Sequence, residues 1–311
     1  MRLLVFGSSW AGRGSRSVKF LVYKDIRRVA SKRSSGKLHV ACLWNEGVTL
    51  GETTPENMNR ESSAAWDAAA DWWKERTEES DPYRQYVHGP ALLDACGDVD
   101  GLNVLDVGCG AGYFSRKLAG AGARVQAFDY SGNLLALAAD EESKSPLGIQ
   151  YERLDAGLIS DRFEPQSFDL VTGCMSIADI FPLDAALAGI HSVLKTGGKF
   201  CFSLPHPIAT PPGSRWEKDP DNGFAGRMMS SYFGRRRVAS GLNRVVGKVE
   251  GPEIKVWHMP VSDWQQLLSD VGFAVARFAE PHPTPAQVEE HAGLDWRPNW
   301  PEFMVVSTTR T

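Results

Sequence analysis

Nine consecutive residues, Val104-Leu105-Asp106-Val107-Gly108-Cys109-Gly110-Ala111-Gly112, run an apolar strand-like stretch into three closely spaced glycines. Glycine allows a tight turn and lets backbone approach a ligand with no Cβ in the way. A helix opening just beyond such a loop presents unpaired N–H groups and the positive end of its dipole. The combination suits an anionic or polar segment of a cofactor. Dinucleotide sites prefer a third glycine one position later, where helix and strand pack closely; here that position is the bulky Tyr113. Asp106, two residues before Gly108, would repel a pyrophosphate but can hold an ammonium group, directly or through water. The loop therefore reads as a cradle for a zwitterionic amino-acid tail, with Gly108, Cys109, Gly110 and Gly112 as its backbone.

Two further acids stand where strands should end. Asp129 lies twenty-one residues past Gly108, a spacing at which a carboxylate accepts hydrogen bonds from ribose hydroxyls. Leu154-Asp155-Ala156 closes the next strand, where a carboxylate can accept from an adenine amino group. Asp106, Asp129 and Asp155 thus line one crevice at the carboxyl ends of adjacent strands, the place where open α/β sheets bind ligands.

The elements needed to position these residues are legible on either side. Strands are expected at Asn103–Val107, Arg124–Phe128, Gln150–Leu154, Phe168–Thr172 and Lys199–Leu204, alternating with helices at Tyr113–Ala119, Ser131–Glu142 and Leu183–Leu194. Alternation at this spacing implies βαβ units and a parallel sheet covered on both faces. Helix Val261–Val271 and strands Phe273–Phe278 and Glu302–Ser307 resume the pattern. Between them Pro205 to Trp257 is polar and rich in glycine and proline, too long for an idle connection, and reads as a lid. Upstream, Trp66, Ala69, Ala70 and Trp73 recur at helical spacing over Ala64–Arg76, and Pro90 opens a helix over Ala91–Ala95.

Charge divides the chain. Its 311 residues carry 34 Lys+Arg and 38 Asp+Glu, but ten of the bases and a single acid fall within residues 1–40, leaving an acidic body. That body argues against a nucleic-acid surface, which needs clustered cations. Residues 1–57 form a basic extension expected to be poorly ordered. It could be an organelle transit peptide, a basic arm, or an extension ahead of a start at Met58. Residues 58–311 then form one domain with its lid at about 205–257. Five cysteines, none in a C-x-x-C pair, match neither a disulfide framework nor a zinc site. They fit a reducing, cytoplasmic setting. No apolar run is long enough for a membrane span. Oligomeric state is left open.

Taken together the segments resemble the class I S-adenosylmethionine-dependent methyltransferases. Asp106 to Gly112 is similar to that family's first motif, Ala127-Phe128-Asp129-Tyr130-Ser131 to its ribose motif, and Leu154-Asp155-Ala156 to its adenine motif. Ser167 to Val171 with Gly173-Cys174-Met175, and Val193 to Lys199, resemble the regions of strands four and five. Trp66-Asp67 with Trp72, Asp81-Pro82-Tyr83-Arg84 and Ser203-Leu204-Pro205-His206-Pro207 are closest to the bacterial small-molecule branch, and Thr196 departs from a common proline. The resemblance implies a Rossmann-like, mostly parallel seven-stranded sheet of order 3-2-1-4-5-7-6, with helices on both faces and a lid after strand five. It implies an S-adenosyl-L-methionine cofactor, a small-molecule acceptor of undetermined nucleophilic atom, and SN2 methyl transfer.

By that resemblance Tyr130, Ala156, Cys174 and Met175 border the cofactor and Arg84 pairs with its carboxylate. His206, fixed between Pro205 and Pro207, is the candidate catalytic residue, and no metal is called for. Three other readings stand beside this one. A nicotinamide-dependent oxidoreductase is opposed by Tyr113 and Asp106. A non-catalytic cofactor-binding or regulatory protein could use the same fold. An RNA or protein methyltransferase is opposed by the acidic body and by the lack of an Asn/Asp-Pro-Pro-Tyr segment after strand four.

Overall fold

A computed structural model describes residues 54–77, 81–211, 215–218, 225–229, 231–239, 254–291, 293–294 and 300–311. All belong to one compact unit, Glu52–Thr311. The basic segment up to residue 53 and parts of the expected lid lie outside the described residues.

Seven strands form the central sheet: β1 (Asn103–Val107), β2 (Arg124–Asp129), β3 (Gln150–Arg153), β4 (Phe168–Cys174), β5 (Leu194–Pro205), β10 (Phe273–Ala279) and β11 (Phe303–Arg310). Their spatial order is β3-β2-β1-β4-β5-β11-β10, the order expected. Pairings from β3 across to β5 are parallel, whereas β11 runs antiparallel to both β5 and β10. The five parallel strands therefore end at one edge.

Helices cover both faces, and the strands show why. Alternate residues Val104, Val125, Ala127, Leu170, Cys201 and Val305 join one core with Leu92 of α2 (Gly89–Cys96) and Phe114 and Leu118 of α3 (Tyr113–Gly120). Their neighbours Leu105, Val107, Phe128, Val171, Phe200, Phe202, Met304 and Val306 join the opposite core. There they meet α5 (Ile159–Arg162), α6 (Leu183–Val193) and α7 (Val261–Val271). Strands buried on both sides read as continuous apolar runs instead of alternating ones. α4 (Gly132–Lys144) packs on β2 and β3.

Three elements differ from expectation. The first described helix, α1, spans Pro55–Thr77 and so begins nine residues before Ala64. The added part, Glu56 to Ser63, has no apolar repeat and is held by polar contacts instead. The described parts of the lid contain two antiparallel strand pairs, β6 (Arg215–Lys218) with β7 (Ala225–Met228) and β8 (Arg236–Ala239) with β9 (Lys255–His258). A short helix α8 (Pro285–Glu290) carries a full capping box from Thr284 and Gln287. Among the described residues no helix is long and apolar enough to cross a membrane.

Candidate active site

At the carboxyl edge β1 leads into the glycine loop, which continues the sheet for one more bond: Cys109 N–H donates to Phe128 O at 3.0 Å. Gly108 and Gly110 both adopt left-handed φ, 66° and 56°. Their surroundings differ. A Cβ on Gly108 would stand 2.5 Å from Ser176 Cβ, whereas a Cβ on Gly110 would meet nothing within 4 Å. One glycine is demanded by close packing beneath the loop. The other faces open space, the geometry of backbone that a ligand can approach. Gly112 caps α3.

The three acids are brought to this edge, each with partners. Asp106 is 1% exposed and lies under the loop. Its Oδ2 accepts from Ser115 Oγ at 2.6 Å and its Oδ1 from Thr172 Oγ1 at 2.8 Å. Burial raises its pKa to about 6 against the pull of those two hydroxyls. Asp129, last in β2, ties two loops together. Its Oδ2 accepts from Gly110 N–H and its Oδ1 from Ser131 N–H, both at 2.8 Å. Burial raises its pKa, and the two amides oppose the shift. Asp155 accepts from Gly157 N–H at 2.8 Å on Oδ1 and from Asn59 Nδ2 on Oδ2. Ala156, buried beside it, starts the turn that follows. Tyr130 lies under the Arg153 guanidinium, 5.4 Å from ring centroid to Cζ.

Arg84 stands at the mouth of α3. Its Cζ is 4.3 Å from the Tyr113 ring centroid, and Tyr113 Oη donates to Arg84 O at 3.3 Å. The residue that breaks the dinucleotide pattern thus supports Arg84. Asp81 starts this segment by accepting from the N–H groups of Tyr83 and Arg84 at 3.1 and 3.2 Å. Past the end of β4, Met175 holds a φ of 60°, a conformation that costs an L-residue roughly 1–2 kcal/mol. Its N–H donates to Ser203 O and Oγ at 3.0 and 3.1 Å. Such strain concentrates at functional sites. Burial pushes the thiol of Cys174 beside it up to about 12. Cys109 is likewise pushed up by burial.

His206 is placed at the same edge, with Nδ1 hydrogen-bonded and Nε2 close to a carboxylate but outside hydrogen-bond geometry. Nδ1 accepts from Ile208 N–H at 3.1 Å, and Nε2 faces Glu280 Oε1 at 2.8 Å. Burial lowers its pKa, and the Glu280 carboxylate opposes the shift. This places the ring between the β5 exit and Glu280, which follows β10 on the far side of β11. His258 is engaged by Thr210 and the Tyr232 carbonyl. The run Arg235-Arg236-Arg237 is paired along its length. Arg235 binds Asp184, Arg236 binds Ser231, and Arg237 binds Glu61.

What motif reading missed is the start of α1, ahead of Ala64, and the contacts the helix makes. Asn59 reaches Asp155, Ser63 Oγ donates to Tyr130 O at 3.1 Å, and Asp67 accepts from Ser131 Oγ at 2.6 Å and Asn133 N–H at 3.1 Å. Glu61 binds Arg237 of β8 and Lys255 of β9, and Trp66 hydrogen-bonds the half-buried Asp179 carboxylate. Asp179 is raised well above the usual carboxylate range, chiefly by burial. Among the described residues no cluster of three or more His, Cys, Asp or Glu could hold a metal ion.

A seven-stranded sheet of this order, with a glycine loop after β1 and acids at or near the carboxyl ends of β1, β2 and β3, is similar to that of the class I S-adenosylmethionine-dependent methyltransferases. Residues 104–198 match a family model described as a methyltransferase domain. The chain is 34% identical over 138 residues to a ubiquinone biosynthesis O-methyltransferase of Paraburkholderia phytofirmans. That overlap is 44% of this chain and 59% of the relative, so less than two thirds of the relative's length is spanned. A solved S-adenosylmethionine-dependent methyltransferase from Mesorhizobium loti superposes with a TM-score of 0.62 at 27% identity. It covers 75% of this chain and 99% of its own. The cyclase SpnF, at 14% identity and TM-score 0.54 over 81% of this chain and 96% of its own, shares the fold alone.

Proposed function

We propose that this protein transfers a methyl group from S-adenosyl-L-methionine to a small-molecule acceptor. The observation that carries the reading is the glycine loop, whose Gly110 faces open space while its N–H is held by Asp129. The residues fit the cofactor. Loop amides and the N-terminus of α3 suit its polar tail, and Arg84 suits its carboxylate through a planar, bidentate fork. Asp106 supplies negative charge beneath its ammonium group. Asp129 and Tyr130 would border the ribose, Asp155 and Ala156 the adenine, and Cys174 and Met175 the reacting end. When bound, the cofactor supplies a methyl already activated by a cationic sulfur.

The chain's work is then alignment and exclusion of water. α1 and the β8–β9 pair roof the strand ends. His206, with Nδ1 held by Ile208 N–H and Nε2 beside Glu280, is the candidate substrate contact or general base on the acceptor side. A cytoplasmic setting follows from the cysteine pattern.

Calorimetry tests the donor. S-adenosylhomocysteine should bind; binding of NAD(H) with none of the sulfur nucleoside would sink the reading. Asp129→Ala should weaken S-adenosylhomocysteine by about 1–3 kcal/mol, the range for leaving buried partners unpaired. An unchanged affinity would remove Asp129 from the ribose site. Metabolite extracts incubated with labelled S-adenosylmethionine, followed by mass spectrometry, would identify the acceptor and its nucleophilic atom.

A further inference from the structure

The first half of α1 is a polar helix whose buried side chains all point to the same walls. Asn59 is 9% exposed and Ser63 7%. Asn59, Ser63 and Asp67 recur every four residues, which places them on one helical face. Over successive turns they bind the loop after β3, the loop after β2 and the N-terminus of α4. A buried polar side chain with no partner is costly, so this stripe is stable only when docked on those loops. Ser62 adds a bond from its Oγ to Asp179 O at 3.3 Å. The helix is therefore tied by specific hydrogen bonds to the two loops proposed above to hold ribose and adenine.

Asp155 is the key contact. Its carboxylate is fixed at both oxygens, by Gly157 N–H from its own turn and by Asn59 from α1. Each carboxylate oxygen has two acceptor positions, so one remains on each for a further donor. A carboxylate clamped in this way offers acceptors in a set direction and offers no donor. An exocyclic amino group satisfies it; an oxo group at the same place would set acceptor against acceptor.

We propose that α1 forms part of the cofactor site and that Asn59 is a positioning residue, selecting a 6-amino purine through its hold on Asp155. The proposal rests on the cofactor reading above, and the test separates the two. Calorimetry would compare S-adenosylhomocysteine with S-inosylhomocysteine, which carries an oxo group in place of the amino group. The wild-type protein should prefer the adenosyl compound. Asn59→Ala should weaken that compound about 5- to 30-fold and change the inosyl compound far less, so that discrimination collapses. Asn59→Ser, which is too short to span to Asp155, should behave alike, with thermal melting confirming that both variants are folded. Equal weakening of the two compounds would reduce Asn59 to a structural cover and overturn the proposal, as would unchanged binding of S-adenosylhomocysteine. Absence of binding by the wild-type protein would instead overturn the cofactor reading on which the proposal stands.

Discussion

Asp106→Asn is expected to make the protein more stable at pH 7, by about 2–3 kcal/mol, and to weaken its hold on the cofactor. The carboxylate is 1% exposed, and burial raises its pKa from 3.8 to about 6. The folded state therefore binds this proton more tightly than the unfolded chain does. Stability contributed by the group is complete below about pH 3.8 and is lost as pH rises through 6. A shift of this size corresponds to roughly 3 kcal/mol. Asparagine stays neutral throughout, and the Ser115 and Thr172 hydroxyls can rotate to meet either its oxygen or its amide. Thermal melts from pH 3.5 to 8 should show the variant ahead at neutral pH and the two proteins converging below pH 4. Coincident curves at every pH would mean that the buried charge carries no such cost. The companion measurement is S-adenosylhomocysteine affinity at pH 7. A charge retained at a cost in stability is accounted for if it serves binding, so affinity should fall as stability rises.

How much of this was legible beforehand depended on the kind of contact. The sheet was readable because its strands are buried on both faces and flanked by turns. β1 was placed at its observed bounds, and the strand order was expected from the resemblance. The glycine loop was readable because left-handed backbone needs glycine. The first half of α1 was not: Asn59, Ser63 and Asp67 form a stripe of polar residues, and apolar periodicity is blind to it. Thr284-Pro285-Ala286-Gln287 did carry a helix signal, the capping box of α8, which strand and helix periodicity passed over. His206 shows a different limit. Its flanking prolines suggested a fixed ring, but the groups around it, Ile208 N–H and the distant Glu280, depend on where β11 sets the end of β10 relative to the β5 exit. The ion pairs of Arg235 and Arg237 have the same origin, since Asp184 and Glu61 are remote in sequence.

Gly108→Ala should cost about 2–5 kcal/mol of stability, whereas Gly110→Ala should cost only about 1–2 kcal/mol and act chiefly on binding. Both glycines hold left-handed φ, so both alanines carry the conformational penalty of about 1–2 kcal/mol. At Gly108 a second effect is added. The new Cβ would lie 2.5 Å from Ser176 Cβ and 3.0 Å from its Oγ, and Ser176 cannot yield freely. Its Oγ donates to Val107 O at 2.5 Å, and it directly follows the strained Met175. Overpacking of this kind typically costs about 1–3 kcal/mol, a large share of a marginal total. Gly110 meets no protein atom, so its added methyl intrudes on the space left for a ligand. Urea titration and calorimetry read the two effects separately. Gly108→Ala should lose stability first, and Ser176→Gly in that background should restore part of it, a coupling expected only of residues in contact. Gly110→Ala should keep most of its stability and lose S-adenosylhomocysteine affinity. If the two alanines instead behave alike in both measurements, the open space over Gly110 is not where the cofactor lies.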